Sequence, residues 1–127
     1  MKKYKLLTED TITIGGRCLY RIQAVRDFGI IKEGQLGGYI EKEDNLSHDG
    51  NCWVFKNTKV FGNARVFDDA WVFENAEVFD DARVCGDAQV YGSAKVFGNA
   101  CISRNAVVYG NAEVSGDVIV FWNAILS

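Results

Sequence analysis

From Asn51 to Ser127 the chain repeats itself every six residues without an insertion, and few folds can satisfy so strict a period. The units begin at Asn51, Asn57, Asn63, Asp69, Asn75, Asp81, Asp87, Ser93, Asn99, Asn105, Asn111, Asp117 and Asn123. The second position is Ala in ten of the thirteen units, and the fourth is aliphatic in all of them, from Val54 to Leu126. A period of six does not fit the roughly 3.6 residues of a helical turn, whereas Ala-x-Val sets two apolar side chains on one side of a strand. Each unit is therefore a short strand followed by a corner. The corners, Gly or Asp followed by Asn or Asp, use residues that enter the left-handed backbone region at low cost. Strands this short, joined by such bends, must coil into a solenoid in which each unit buries its inner face by stacking on its neighbours. The chain has no proline, so every strand N–H is left to pair between coils.

Val54-Phe55-Lys56-Asn57-Thr58-Lys59 and the units after it resemble the hexapeptide repeat of left-handed parallel β-helix proteins. The Asn-Ala-x-Val-Tyr/Phe-Gly flavour, preceded by Gly37-Gly38-Tyr39-Ile40-Glu41-Lys42-Glu43-Asp44-Asn45-Leu46-Ser47, is similar to the YdcK-like group of bacterial and prophage β-helix proteins. The resemblance implies an all-β fold, with three units per triangular coil and about four coils. It also implies the left hand, which the general preference for right-handed crossovers would not suggest. Residues eighteen apart should then sit above one another, about 4.8 Å apart. At the third position one such column reads Lys59, Glu77, Lys95, Glu113, alternating in sign as cross-strand neighbours prefer. A second column reads Arg65, Arg83, Cys101, Ile119, and there two arginines stack unfavourably.

Residues 1–44 are expected to form an N-terminal β cap, and residues 45–127 the solenoid. Within the cap, Thr11 to Ile22 alternates around Gly15-Gly16 and predicts a β-hairpin. At the far end the units stop at Phe121-Trp122-Asn123-Ala124-Ile125-Leu126-Ser127 without a similar lid, and the expected consequence is self-association through that end or through a side face.

Bulk properties narrow the function. A net charge of −3 with no basic stripe argues against direct nucleic-acid binding. The N-terminus reaches Glu9 and Asp10 before any apolar run of signal-peptide length, and nowhere are there the roughly 18 consecutive apolar residues of a membrane span. The expectation is a soluble cytoplasmic protein. Cys18, Cys52, Cys85 and Cys101 are too widely spaced for a CxxC pair or a zinc cluster, so reduced thiols, no metal and no cofactor are expected. Cys85 and Cys101 fall on one face in successive coils, with backbones about 8 Å apart, beyond the roughly 7 Å a disulfide spans.

Hexapeptide-repeat acyltransferases, the best-known enzymes of this resemblance, imply a histidine base and a loop protruding from a coil. The repeat carries no loop, and the one histidine, His48, is the sole catalytic candidate beside Ser47 and Asp49. No catalytic residue is expected. Two surfaces are candidates for binding. Asp68, Asp69, Asp80 and Asp81 could hold a cation or imitate a phosphate backbone, or simply form corners. Trp53, Phe55, Trp71, Phe73, Tyr91 and Tyr109 could share one flat side, as an interface or as a ladder that stabilises the stack. The reading is a non-enzymatic, self-associating interaction module of phage or prophage type, with a host protein to bind or inhibit as its expected partner. The alternative is a minimal acyltransferase.

Overall fold

The computed structural model describes residues 2–127, which are all-β apart from one 3-10 turn at Glu43–Asn45. Strands β1 (Tyr4–Ile14) and β2 (Arg17–Ala24) make the hairpin expected from the sequence, paired from Tyr4↔Ala24 to Ile14↔Arg17. Its turn is Gly15-Gly16, with φ of 53° and 80°, a region glycine enters without a Cβ penalty. Strand β3 (Leu36–Ile40) runs antiparallel to β2, matching Tyr20 with Ile40, and parallel to Lys59–Val60 on its other edge. The hairpin thereby extends one face of the solenoid instead of sitting apart from it.

Thirteen two-residue strands follow, from Trp53–Val54 to Ile125–Leu126, each made of the third and fourth positions of a unit. Every strand pairs in parallel with the one eighteen residues on, which sorts them into three faces. The aromatic face holds Trp53, Trp71, Gln89, Val107 and Ile125 at its outward positions. The alternating face holds Lys59, Glu77, Lys95 and Glu113. The arginine face holds Arg65, Arg83, Cys101 and Ile119. Both columns laid out in the sequence are in register. Backbone ladders join the levels, as in Trp71 N–H to Ala88 O at 3.0 Å and Phe73 N–H to Val90 O at 2.9 Å.

The solenoid starts earlier than the repeat. Tyr39, inside the expected cap, pairs with Lys59, and Leu46 pairs with Val66, so a first level precedes the repeat and the stack is five levels deep. These partners lie twenty residues apart instead of eighteen; Ile40 and Leu46 keep the six-residue step, so the two extra residues fall between Leu46 and Val54. Gly37 and Gly38 permit the contact. A Cβ on Gly37 would lie 2.6 Å from the Val54 carbonyl oxygen, and one on Gly38 would lie 2.5 Å from that of Phe55.

The second and fourth positions form the core, and from Ala64 to Val108 all of them are fully buried. Three strands converge inside a narrow prism, which is why the second position needs a small side chain. Each buried valine contributes about 1.5–3 kcal/mol, repeated level by level. The left-handed backbone sits mainly at the sixth position, as at Asp68, Glu74, Asp80 and Arg104, with φ of 56–60°. The Asn or Asp after it mostly plays a different part and bonds between levels. Asn63 Nδ2 donates to Asp81 Oδ1, and Asn99 Nδ2 to Asp117 Oδ1, both at 3.1 Å. No helix among the described residues is long and apolar enough to cross a membrane.

Candidate functional site

His48 is placed by the first turn of the solenoid, and both of its ring nitrogens are engaged. Nδ1 accepts the backbone N–H of Lys3 at 3.1 Å, which requires an unprotonated nitrogen there. Nε2 therefore carries the proton and donates it to Glu43 Oε1 at 2.8 Å. The ring also stacks on Tyr4, with centroids 4.1 Å apart. Its neighbours in sequence do not join it, since Ser47 Oγ accepts the Asp49 N–H instead. Hydrogen bonds from Lys2 and then from His48 hold the Glu43 carboxyl below its usual range. The result is a clasp for the start of β1.

Beneath that clasp, Lys3 is fully buried, with Nζ donating to Cys52 O at 2.7 Å and Gly50 O at 3.2 Å and lying 3.4 Å from Cys52 Sγ. Burial lowers the Lys3 pKa and raises that of the Cys52 thiol. Tyr4 Oη donates to Leu46 O at 2.6 Å. These ties fasten the cap to the first level.

The expected six-ring flat side is reduced by this cap. Trp53 is 0% exposed, packed edge-on against Phe28 at 5.4 Å and Tyr4 at 6.3 Å, because the cap covers the first level of the aromatic face. Trp53 is thus a core residue in this structure, and its surface placement is corrected. Phe73, Tyr91 and Tyr109 do stack in series, at 4.6 and 5.5 Å, Phe55 meets Phe73 edge-on at 6.0 Å, and all four remain half-buried. A parallel ladder of Phe61, Phe79 and Phe97 stacks at 5.1 and 5.0 Å on the next side. Trp71, half-buried, floors a groove bordered by Asp69, Asp87 and Gln89 and overhung by Ile30, which is 62% exposed.

All four corner aspartates bond between levels. Asp68 Oδ2 accepts the Gly86 N–H and Asp80 Oδ2 the Gly98 N–H, each at 3.0 Å. Asp69 Oδ1 accepts the Asn51 N–H at 3.0 Å, and Asp81 Oδ1 is the acceptor for Asn63. Among the described residues, no three His, Cys, Asp or Glu side chains gather as metal ligands.

The arginine face carries a feature that no motif in the sequence marks. Arg65 and Arg83 are register partners, exposed, and neither guanidinium forms an ion pair among the described residues. They line two adjoining grooves. One is shared with Glu43, Ser47, His48 and Phe67, and the other with Asn63, Asp81, Asn99 and Cys101. The signal in the sequence was the column that fails to alternate. Cys85 and Cys101 are both free and half-buried on this face. Burial pushes the Cys85 thiol up to about 11, with the neighbouring Cys101 adding to the effect.

No known protein-family model matches the chain. It is similar to an Escherichia coli (strain K12) protein described as uncharacterized acetyltransferase YdcK, at 34% identity over 70 residues. The match takes in 49% of this chain and 22% of that protein, so about half of the chain aligns with about a fifth of its relative.

Proposed function

We propose that this chain is a non-enzymatic binding module, a rigid β-solenoid that associates with a second copy of itself and offers its aromatic face to a protein partner. The observation that carries the reading is the groove where the Trp71 indole and the exposed Ile30 share a lining with Asp69 and Asp87. A half-buried aromatic with charged neighbours is the composition of an interface centre and its rim. The partner surface that fits it is apolar with basic residues around it. His48 supports the non-enzymatic reading, because a base needs a nitrogen free to take a proton, and both of its nitrogens hold the cap. Its motif likeness to bacterial and prophage β-helix proteins extends the proposal to a phage-type protein of the cytoplasm whose partner is a host protein.

The test is mass in solution by light scattering over a wide concentration range. The wild type is expected above its 14.1 kDa monomer mass, and Trp71→Ala is expected to keep that mass and its circular dichroism, since the aromatic face is left for the partner. A wild type that is monomeric throughout would overturn self-association. Trp53→Ala is unsuitable for this purpose, because it opens the core.

A second reading, acyl transfer, is favoured by the printed description of the Escherichia coli relative. It requires turnover of an acyl-coenzyme A that is lost in His48→Ala, and turnover that survives that change would remove His48 as its base.

A further inference from the structure

We propose that the arginine face binds one phosphate group between Arg65 and Arg83. The two residues occupy paired positions on adjacent strands, a separation of about 4.8 Å that brings both guanidinium forks within reach of a single tetrahedral oxyanion. Arginine suits this geometry, since each fork can give two parallel N–H bonds to phosphate oxygens. Neither fork has an intramolecular ion-pair partner among the described residues. Of the carboxylates that line the two grooves, Glu43 is bonded to Lys2 and His48 and Asp81 to Asn63, and Asp44 pairs with neither arginine.

Charge sets the size of the ligand. Two cations balance the charge of about −1.5 to −2 on one phosphomonoester. A longer polyanion would run from the arginines onto the carboxylates of Asp44 and Asp81, which line one each of the two adjoining grooves. The Ser47 hydroxyl lines the same groove and keeps its proton to donate, because its oxygen is the acceptor for Asp49. Phe67 beside it offers an apolar surface for an organic group. Like charges in register cost stability, and such a pair makes physical sense where a ligand supplies the missing charge. The ligand chemistry is a dianionic phosphate, free or as the monoester of a small molecule.

The experiment is calorimetric titration of the whole chain with inorganic phosphate and, separately, glycerol phosphate, backed by melting in sodium phosphate against sodium chloride at matched ionic strength and pH. Phosphate is expected to bind and to raise the melting temperature. Arg65→Gln and Arg83→Gln are each expected to weaken binding at least about tenfold while melting no lower than the wild type in chloride. Lys59→Gln on the neighbouring face is expected to leave binding unchanged. Tighter binding of glycerol phosphate identifies a monoester as the ligand, and equal binding identifies the free ion. The proposal is overturned if the wild type shows no heat and no melting shift with either probe, or if the two arginine variants bind as the wild type does.

Discussion

The alternating face and the arginine face are built from the same repeat, on the same backbone ladder, around the same core of Ala and Val. Their inner positions are indistinguishable, since Val60, Val78 and Val96 on one and Val66, Val84 and Ile102 on the other are all fully buried. Their outward positions diverge. Lys59, Glu77, Lys95 and Glu113 change sign at each level, so every register partner is attractive. Arg65 and Arg83 repel, and the column below them turns to Cys101 and Ile119. A solenoid divides its labour in this way. The inner positions hold the fold and tolerate little change, whereas each outward column either adds a small increment of stability or gives it up for a surface property.

The comparison is sharpened first at the core. Val78→Ala and Val84→Ala, beneath Glu77 and Arg83, should each cost about 2–3 kcal/mol by chemical denaturation, and the two costs should agree within about 0.5 kcal/mol. A large disparity would mean that the faces differ inside as well as outside. A smaller effect comes from making the first face resemble the second. Glu77→Lys creates three consecutive like charges with Lys59 and Lys95 and should destabilise by about 1 kcal/mol, a loss that shrinks in high salt. Equal destabilisation at all ionic strengths would show that packing, not charge, is what the substitution disturbs.

The sequence made the solenoid and its register legible because a six-residue period leaves no other way to place its apolar positions. Lys59 over Glu77, and Arg65 over Arg83, followed from that period together with the three units per coil that the family resemblance implies. The first level could not, because Tyr39 and Leu46 are offset by two extra residues and lack the repeat's Ala-x-Val signature. Trp53 was misplaced for a related reason. Its column is outward by position, and only the aperiodic cap, through Tyr4 and Phe28, turns it into core. His48 was visible as a candidate, yet its role as a clasp depends on Lys3 and Glu43, whose approach no local pattern announces. The corner aspartates were legible as corner formers, but the bonds they accept from the adjoining coil arise from stacking alone.

In the proposed role the arginine pair is kept at a cost to the fold because it holds an anion. Arg83→Glu tests it most directly, since the change gives this column the alternation found on its neighbour. In chloride the variant should melt higher than the wild type, by a stability gain below about 1 kcal/mol, and it should lose the response to phosphate. A variant that melts lower in chloride, or that still gains stability from phosphate, would contradict the account.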